Sequence, residues 1–171
     1  RFSPLFNPRN KGDVMKKVTK SPLTVLLAVA VFLNYSGFGY AQALPELTNV
    51  TEGSITTNQP NATTLDINVH QNRSVGEYAS FNVGSGYTAN VNHDVAGWSS
   101  LHRVTGDVRS DIMGNLTSNG QVFLINPNGI LFGAGAVLDM PGLVASTLNI
   151  SDADFVSGNL AFQGASGTIE C

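Results

Sequence analysis

The stretch Gln121 to Met140, QVFLINPNGILFGAGAVLDM, decides the fold. Val122, Phe123, Leu124 and Ile125 form an apolar run long enough for one strand and too short for a packed helix. Asn126, Pro127, Asn128 and Gly129 then read as a turn. Pro127 presets φ at the second turn position, Asn126 can bond its own backbone two residues on, and Gly129 closes a type I turn. Ile130, Leu131 and Phe132 open the next strand at once. Gly133 to Ala136 allows a second close corner, and Val137 to Met140 reads as a third short strand. Strands joined by corners and not by helices predict an all-β chain.

The same pattern extends outward. Leu65, Ile67 and Val69 alternate with polar residues, as do Phe81 with Val83 and Ala89 with Val91, and Gly/Asn/Ser clusters lie between them. Val108, Ile112 and Leu116 could share one helical face, but Gly106, Gly114 and the missing caps argue against a helix. Gly76, Gly97, Gly120, Gly142 and Gly164 recur at steps of 21, 23, 22 and 22 residues, mostly ahead of a strand-like run. One turn of a parallel β-helix fits that step. The fourteen asparagines after Ala43 suit it too, because asparagine tolerates left-handed corners and can ladder its amides between stacked turns. Leu44 to Ser74 lacks the repeat and is the expected N-terminal cap.

Charge is unevenly placed. Six of the nine Lys and Arg residues precede Ser21, and no lysine follows Lys20. Met15, Lys16, Lys17 and Lys20 form a positive segment, Leu23 to Leu33 an apolar run of eleven residues, and Ala41-Gln42-Ala43 a small-x-small cleavage site. This predicts a secretory signal peptide over residues 15–43, cleaved after Ala43, with Ala41 the second choice. A membrane anchor would need about 20 apolar residues, and Asn34 ends the run well short of that. Residues 1–14, which start on Arg1, read as upstream sequence or a mis-set start.

The segment from Leu44 to Cys171 carries three arginines against eleven acidic residues, a formal charge of −8. Nucleic acid is therefore excluded as a partner, because phosphate binding needs a basic face. Cys171 is the single cysteine, so no internal disulfide forms. Its terminal place, with no closing strand, leads to the expectation that 44–171 is cut from a longer protein.

With these motifs in hand, Phe81 to Gly158 resembles the amino-terminal secretion domain of filamentous-haemagglutinin-type exoproteins, the exported partners of two-partner secretion systems. The residues that carry the resemblance are NPNGI at Asn126 to Ile130, the preceding GQVFLI, RVTG at Arg103 to Gly106, FNV at Phe81 to Val83, and VASTL at Val144 to Leu148. It is most similar to the branch typified by high-molecular-weight adhesins. The motif NPNL of other branches is absent. The resemblance implies a right-handed parallel β-helix, export to the periplasm by the Sec machinery, and recognition there by the POTRA domains of an outer-membrane barrel transporter. It also implies folding at the cell surface ahead of a long passenger, often an adhesin that meets host glycans or receptors. The turn Asn126, Pro127, Asn128, Gly129 and Ile130 is the candidate recognition and structural element.

Parallel β-helices also carry polysaccharide-active enzymes, so catalysis is the competing class, with a free-standing carbohydrate-binding module as a third. Glycoside chemistry needs two carboxylates about 5 to 10 Å apart across a cleft. Asp107 with Asp111, Asp152 with Asp154, and His93 with Asp94 are the nearest pairs. Strand neighbours point to opposite faces unless their separation is even. Asp152 and Asp154 pass that test but lie in SDAD, where capping or loop duty is commoner. His70, His93 and His102 lack metal-ligand spacing, and the calcium-binding nonapeptide GGxGxD is absent. Trp98 reads as a corner residue. Arg103 is expected to bond carbonyls or an acid such as Asp107. No catalytic residue, metal or cofactor is assigned.

Overall fold

The computed structural model describes residues 43–164 and 167–171. The expected upstream stretch 1–14 and the expected signal peptide, apart from Ala43, lie outside the described residues. The described chain is an all-β solenoid of roughly three turns, with parallel strands stacked in columns.

Each coil lays one strand on each of three faces. The first face stacks β3 (Thr64–Val69), β5 (Thr88–His93), β8 (Asn115–Ser118) and β11 (Val137–Asp139), all parallel. The second stacks β4 (Ser74–Ser80), β6 (Ser99–Val104), β9 (Gln121–Ile125) and β12 (Gly142–Ser146). The third stacks β7 (Ser110–Ile112), β10 (Ile130–Phe132) and β13 (Ile169–Glu170), and Val83 adds a single parallel bridge to Ile112. Between β12 and β13 the chain leaves the stack and forms a short helix, α1 (Asp152–Ser157).

At the amino end, β1 (Glu46–Glu52) lies antiparallel on β4, and β2 (Ile55–Asn61) antiparallel on β3. These two strands cover the first coil, as a solenoid end requires. The cap is shorter than Leu44 to Ser74, because β3 already runs in register with β5. Its Leu65–Ile67–Val69 alternation places all three side chains in the interior.

The glycine step captures the coil length but misplaces its register. Val75 pairs with Leu101, Leu101 with Phe123 and Phe123 with Val144, steps of 26, 22 and 21 residues. Gly76 thus sits inside β4 opposite His102, whereas Gly142 opens β12. The early coils are longer because their corners carry more residues. Phe81 and Val83 are buried but turn a corner and form no regular strand. Ile112 and Leu116 lie on two different strands, and Val108 is exposed, so no helical face exists there.

Inside the solenoid, Leu65, Ala89 and Leu116 form one stacked column and Ile67 and Val91 another. On the outer side of the same face, Asn90 Nδ2 donates to Asp66 Oδ1 at 2.8 Å, and Thr117 Oγ1 donates to Asn90 Oδ1 at 2.7 Å. These are the amide and hydroxyl ladders expected between stacked turns. On the second face, β9 is apolar on both sides. Val122 and Leu124 point inward, while Val75, Leu101, Phe123 and Ile125 form a second cluster with Ile150 and Phe155 from the excursion. A strand covered on both faces reads as an unbroken apolar run, which is why VFLI shows no alternation. Phe155 is fully buried and meets Phe123 edge-on at 5.1 Å; such burial stabilises by about 1.5–3 kcal/mol.

Candidate functional site

The corner between β9 and β10 is tight for reasons local to its residues. The Gly129 amide donates to the Asn126 carbonyl at 3.0 Å, closing the turn. The Asn126 side chain receives the Asn128 amide on Oδ1 at 2.9 Å, the bond two residues on that asparagine favours. Gly129 takes φ 108, a conformation that side chains disfavour.

Long-range bonds then tie the corner to its neighbours. Asn126 is wholly buried, and its Nδ2 donates to the Val108 carbonyl at 3.0 Å and to Ser110 Oγ at 2.9 Å in the coil before. Its amide donates to the Ser146 carbonyl of β12 at 3.0 Å. Asn128 Nδ2 reaches the Gly106 carbonyl at 2.8 Å. Ile130 is buried and pairs with Ser110 on one side and Ile169 on the other. Pro127 and Asn128 are exposed. The NPNGI turn, the end of RVTG and the middle of VASTL therefore meet at one corner, although they are far apart in the chain. The FNV corner belongs to the same wall, since Asn82 Oδ1 accepts the Asp111 amide at 2.8 Å.

Arg103, also within RVTG, points out of β6. Its Nη1 lies 2.7 Å from Asp152 Oδ1, Nε donates to Asn149 Oδ1 at 2.9 Å, and Nη2 donates to the Ile150 carbonyl at 2.6 Å. The acid is Asp152 and not Asp107, because the excursion folds back over this face. Arg73 makes a parallel contact, donating from Nη1 to the Phe155 carbonyl at 2.7 Å. Local sequence carried no sign of these partners beyond two cations isolated in an apolar sheet.

The carboxylate pairs do not converge. Asp111 pairs with Arg109 at 2.8 Å, and Asp107 is exposed. Asp152 binds Arg103. Asp154 lies in the first turn of α1, which Ser151 caps: its amide donates to Ser151 Oγ, and that hydroxyl donates to Asp154 Oδ2 at 2.6 Å. Hydrogen bonds from Ser151 and then Asn159 hold its carboxyl below the usual range. Strand parity separates His93, which is buried, from Asp94, which bonds the exposed His70 at 3.1 Å. Among the described residues, no three His, Cys, Asp or Glu side chains gather as a metal site would require. Trp98 is half-buried at the corner before β6.

A parallel β-solenoid whose distant motif residues knit one corner is the class that the fold and site define. Comparison with known proteins agrees: the family of TPS secretion domains matches residues 41–170, and the chain belongs to that family. The chain is 30% identical over 128 residues to a heme/hemopexin-binding protein of Haemophilus influenzae (strain ATCC 51907 / DSM 11121 / KW20 / Rd), covering 73% of this chain and 14% of the relative. A second heme/hemopexin-binding protein from Haemophilus influenzae is 27% identical over 127 residues, again 73% of this chain and 14% of the relative. The chain thus spans about one seventh of the curated relatives it matches. Among solved structures, the HMW1 secretion domain from Haemophilus influenzae superposes with a TM-score of 0.68 at 28% identity, over 74% of this chain and 35% of that one.

Proposed function

We propose that this chain directs export of a larger surface or secreted exoprotein, without enzymatic activity of its own. A leader over 15–43, removed after Ala43, takes it to the periplasm through the Sec machinery. There the POTRA domains of a TpsB-type outer-membrane barrel recognise it, and it folds at the surface as the first coils of a β-helical passenger that meets host glycans or receptors. The observation that carries this is the family match along 41–170 on a solenoid of the same kind. The role of Asn126 to Ile130 is to hold the coils in register, and recognition acts through the shape so held.

Edge pairing with a partner strand is a common capture mode, and the structure limits where it can occur. The segments Leu65 to Val69 and Val122 to Ile125, both strand-like by sequence, are paired on both sides. At the amino end the outer strands are β1 and β2. Pro60 lies within β2 and lacks an amide to offer a partner strand, whereas β1 contains no proline. β1 is therefore the amino-terminal edge proposed for capture.

The test is co-expression with a cognate barrel and assay of the medium. Secreted protein should begin at Leu44, and deletion of 46–52 or loss of the barrel should stop its appearance. Export that persists without any barrel would overturn the proposal.

A further inference from the structure

Where the first and second faces meet, the interior contains a connected polar chain among apolar residues. The Tyr78 hydroxyl lies 2.8 Å from His102 Nδ1, Ser100 Oγ lies 2.8 Å from His102 Nε2, and His93 Nε2 lies 3.0 Å from the same Ser100 Oγ. His93 Nδ1 then faces Ser118 Oγ at 3.4 Å. Tyr78, Ser100 and His102 are fully inaccessible and His93 nearly so. The chain therefore joins β4, β6, β5 and β8.

Proton bookkeeping gives this chain one direction. A buried Tyr78 hydroxyl has a single proton, and its hydrogen-bond partner is His102 Nδ1, so it donates there. His102 must then carry its proton on Nε2 and donate to Ser100. Ser100 donates to His93 Nε2, and His93 carries its proton on Nδ1, toward Ser118. Each hydroxyl and ring proton is used once, with both imidazoles neutral. A proton added to either ring makes both of its nitrogens donors and leaves two donors facing each other.

The surroundings do not offset such a charge. From β4 the facing titratable group is Tyr78; between β5 and β6 the two histidines face each other. Ser118 and Asn119 face His93 from β8 and the turn after it, and Phe81 packs on His102 with ring centres 5.6 Å apart. The charged neighbours in sequence point elsewhere: Asp94 bonds His70, and Arg103 bonds Asp152. Burial, and then His93, push His102 down to about 3, and burial lowers His93 against an opposing hydrogen bond with Asn119.

We infer that this relay is a proton lock on folding: the coils close only when both imidazoles are neutral, so mild acid biases the domain toward its unfolded, export-ready form. Its use in export rests on the function proposed above; its effect on folding does not. Both rings bind protons less tightly folded than unfolded. Stability is therefore full above the ordinary imidazole value of about 6.5 and is lost as pH falls below it.

The experiment is urea unfolding of the purified chain between about pH 5 and about pH 8, beside a wild-type NMR titration of the ring protons. The unfolding constant should rise on acidification by up to about tenfold per pH unit for each imidazole, and His93→Gln or His102→Gln should remove one such factor. The His102 ring should keep its neutral shift down to about pH 5 in the folded chain, and the His93 ring should titrate below the ordinary imidazole value. A flat urea midpoint, or a folded-state titration of either ring near its ordinary value, overturns the lock. The NMR result needs no variant, so a substitution that fails to fold leaves the test intact. Unfolding is read without a transporter, so failure of the export proposal is a separate result.

Discussion

Arg103 and Asp152 form an ion pair, Nη1 to Oδ1 at 2.7 Å, that clamps the excursion onto the outer face of β6. The Arg103 side chain is only 12% exposed, and the excursion it clamps carries Phe155, which packs against Phe123. Arg103→Ala should therefore cost about 2–4 kcal/mol, because it strands a carboxylate and opens an apolar seam. Arg103→Lys should recover less than half, since one ammonium cannot reach three acceptors in a fixed fork. Chemical denaturation measures the loss, and hydrogen exchange at Phe155 and Gly158 locates it. An Arg103→Ala chain as stable as wild type, with unchanged exchange there, would refute the clamp.

The NPNG corner separates packing from recognition. Asn126→Ala removes bonds to Val108, Ser110 and the Asn128 amide from a wholly buried site, and should cost about 2–4 kcal/mol. Positive φ falls on Gly129 alone, so backbone strain from a β-branched substitution arises there and not at Asn128. Gly129→Val should cost at least about 1–3 kcal/mol, and the Thr168 carbonyl 2.9 Å from the added Cβ increases it. Asn128→Val loses chiefly the exposed link to Gly106, worth about 1 kcal/mol. Melting temperature and secretion should fall together across the three. A variant that melts like wild type and is still not exported would show that the transporter reads the turn itself.

Glycines in the same chain should differ sharply. A Cβ on Gly114 would collide with the Gly84 and Tyr87 carbonyl oxygens, backbone atoms that cannot step aside. Gly114→Ala should cost about 2–4 kcal/mol by overpacking. Gly135 meets only the Met113 carbonyl at an ordinary 3.5 Å. Gly135→Ala should fall within about 0.5 kcal/mol of wild type. Equal melting temperatures for the two variants would contradict this coil packing.

Ser151 caps α1 and holds Asp154 in its charged form. Because the folded carboxyl is depressed, its contribution is present above the ordinary carboxylate range and is lost as pH falls through the folded value. Ser151→Ala should raise the Asp154 titration midpoint in NMR and speed exchange at Phe155 about fivefold. An unmoved midpoint would mean that the cap does not set this carboxyl.

Local chemistry carried the sequence a long way. The VFLI run, the Asn126 side chain bonded two residues on, the Gly129 closure and the Leu65–Ile67–Val69 alternation all follow from one strand or one turn. Each depends on residues within a few positions, so each was legible. Capping duty in SDAD, carried by Ser151 with Asp154 bonded back to it, was legible for the same reason. Partners across coils were not, because strand parity says which face a side chain takes and nothing about what covers that face. Arg103 is expected from sequence to bond carbonyls or a near acid; it does bond a carbonyl, but its acid is one brought back by an excursion that no periodicity announced. The glycine step failed at Gly76 because corners of unequal length shift the register without changing the strands. Only the stacked coils decided that β3 and β9 have no free edge, that three distant motifs share one corner, and that His93 and His102 meet through Ser100. Those relations are set by the long-range register of parallel strands, which a chain acquires only when it closes.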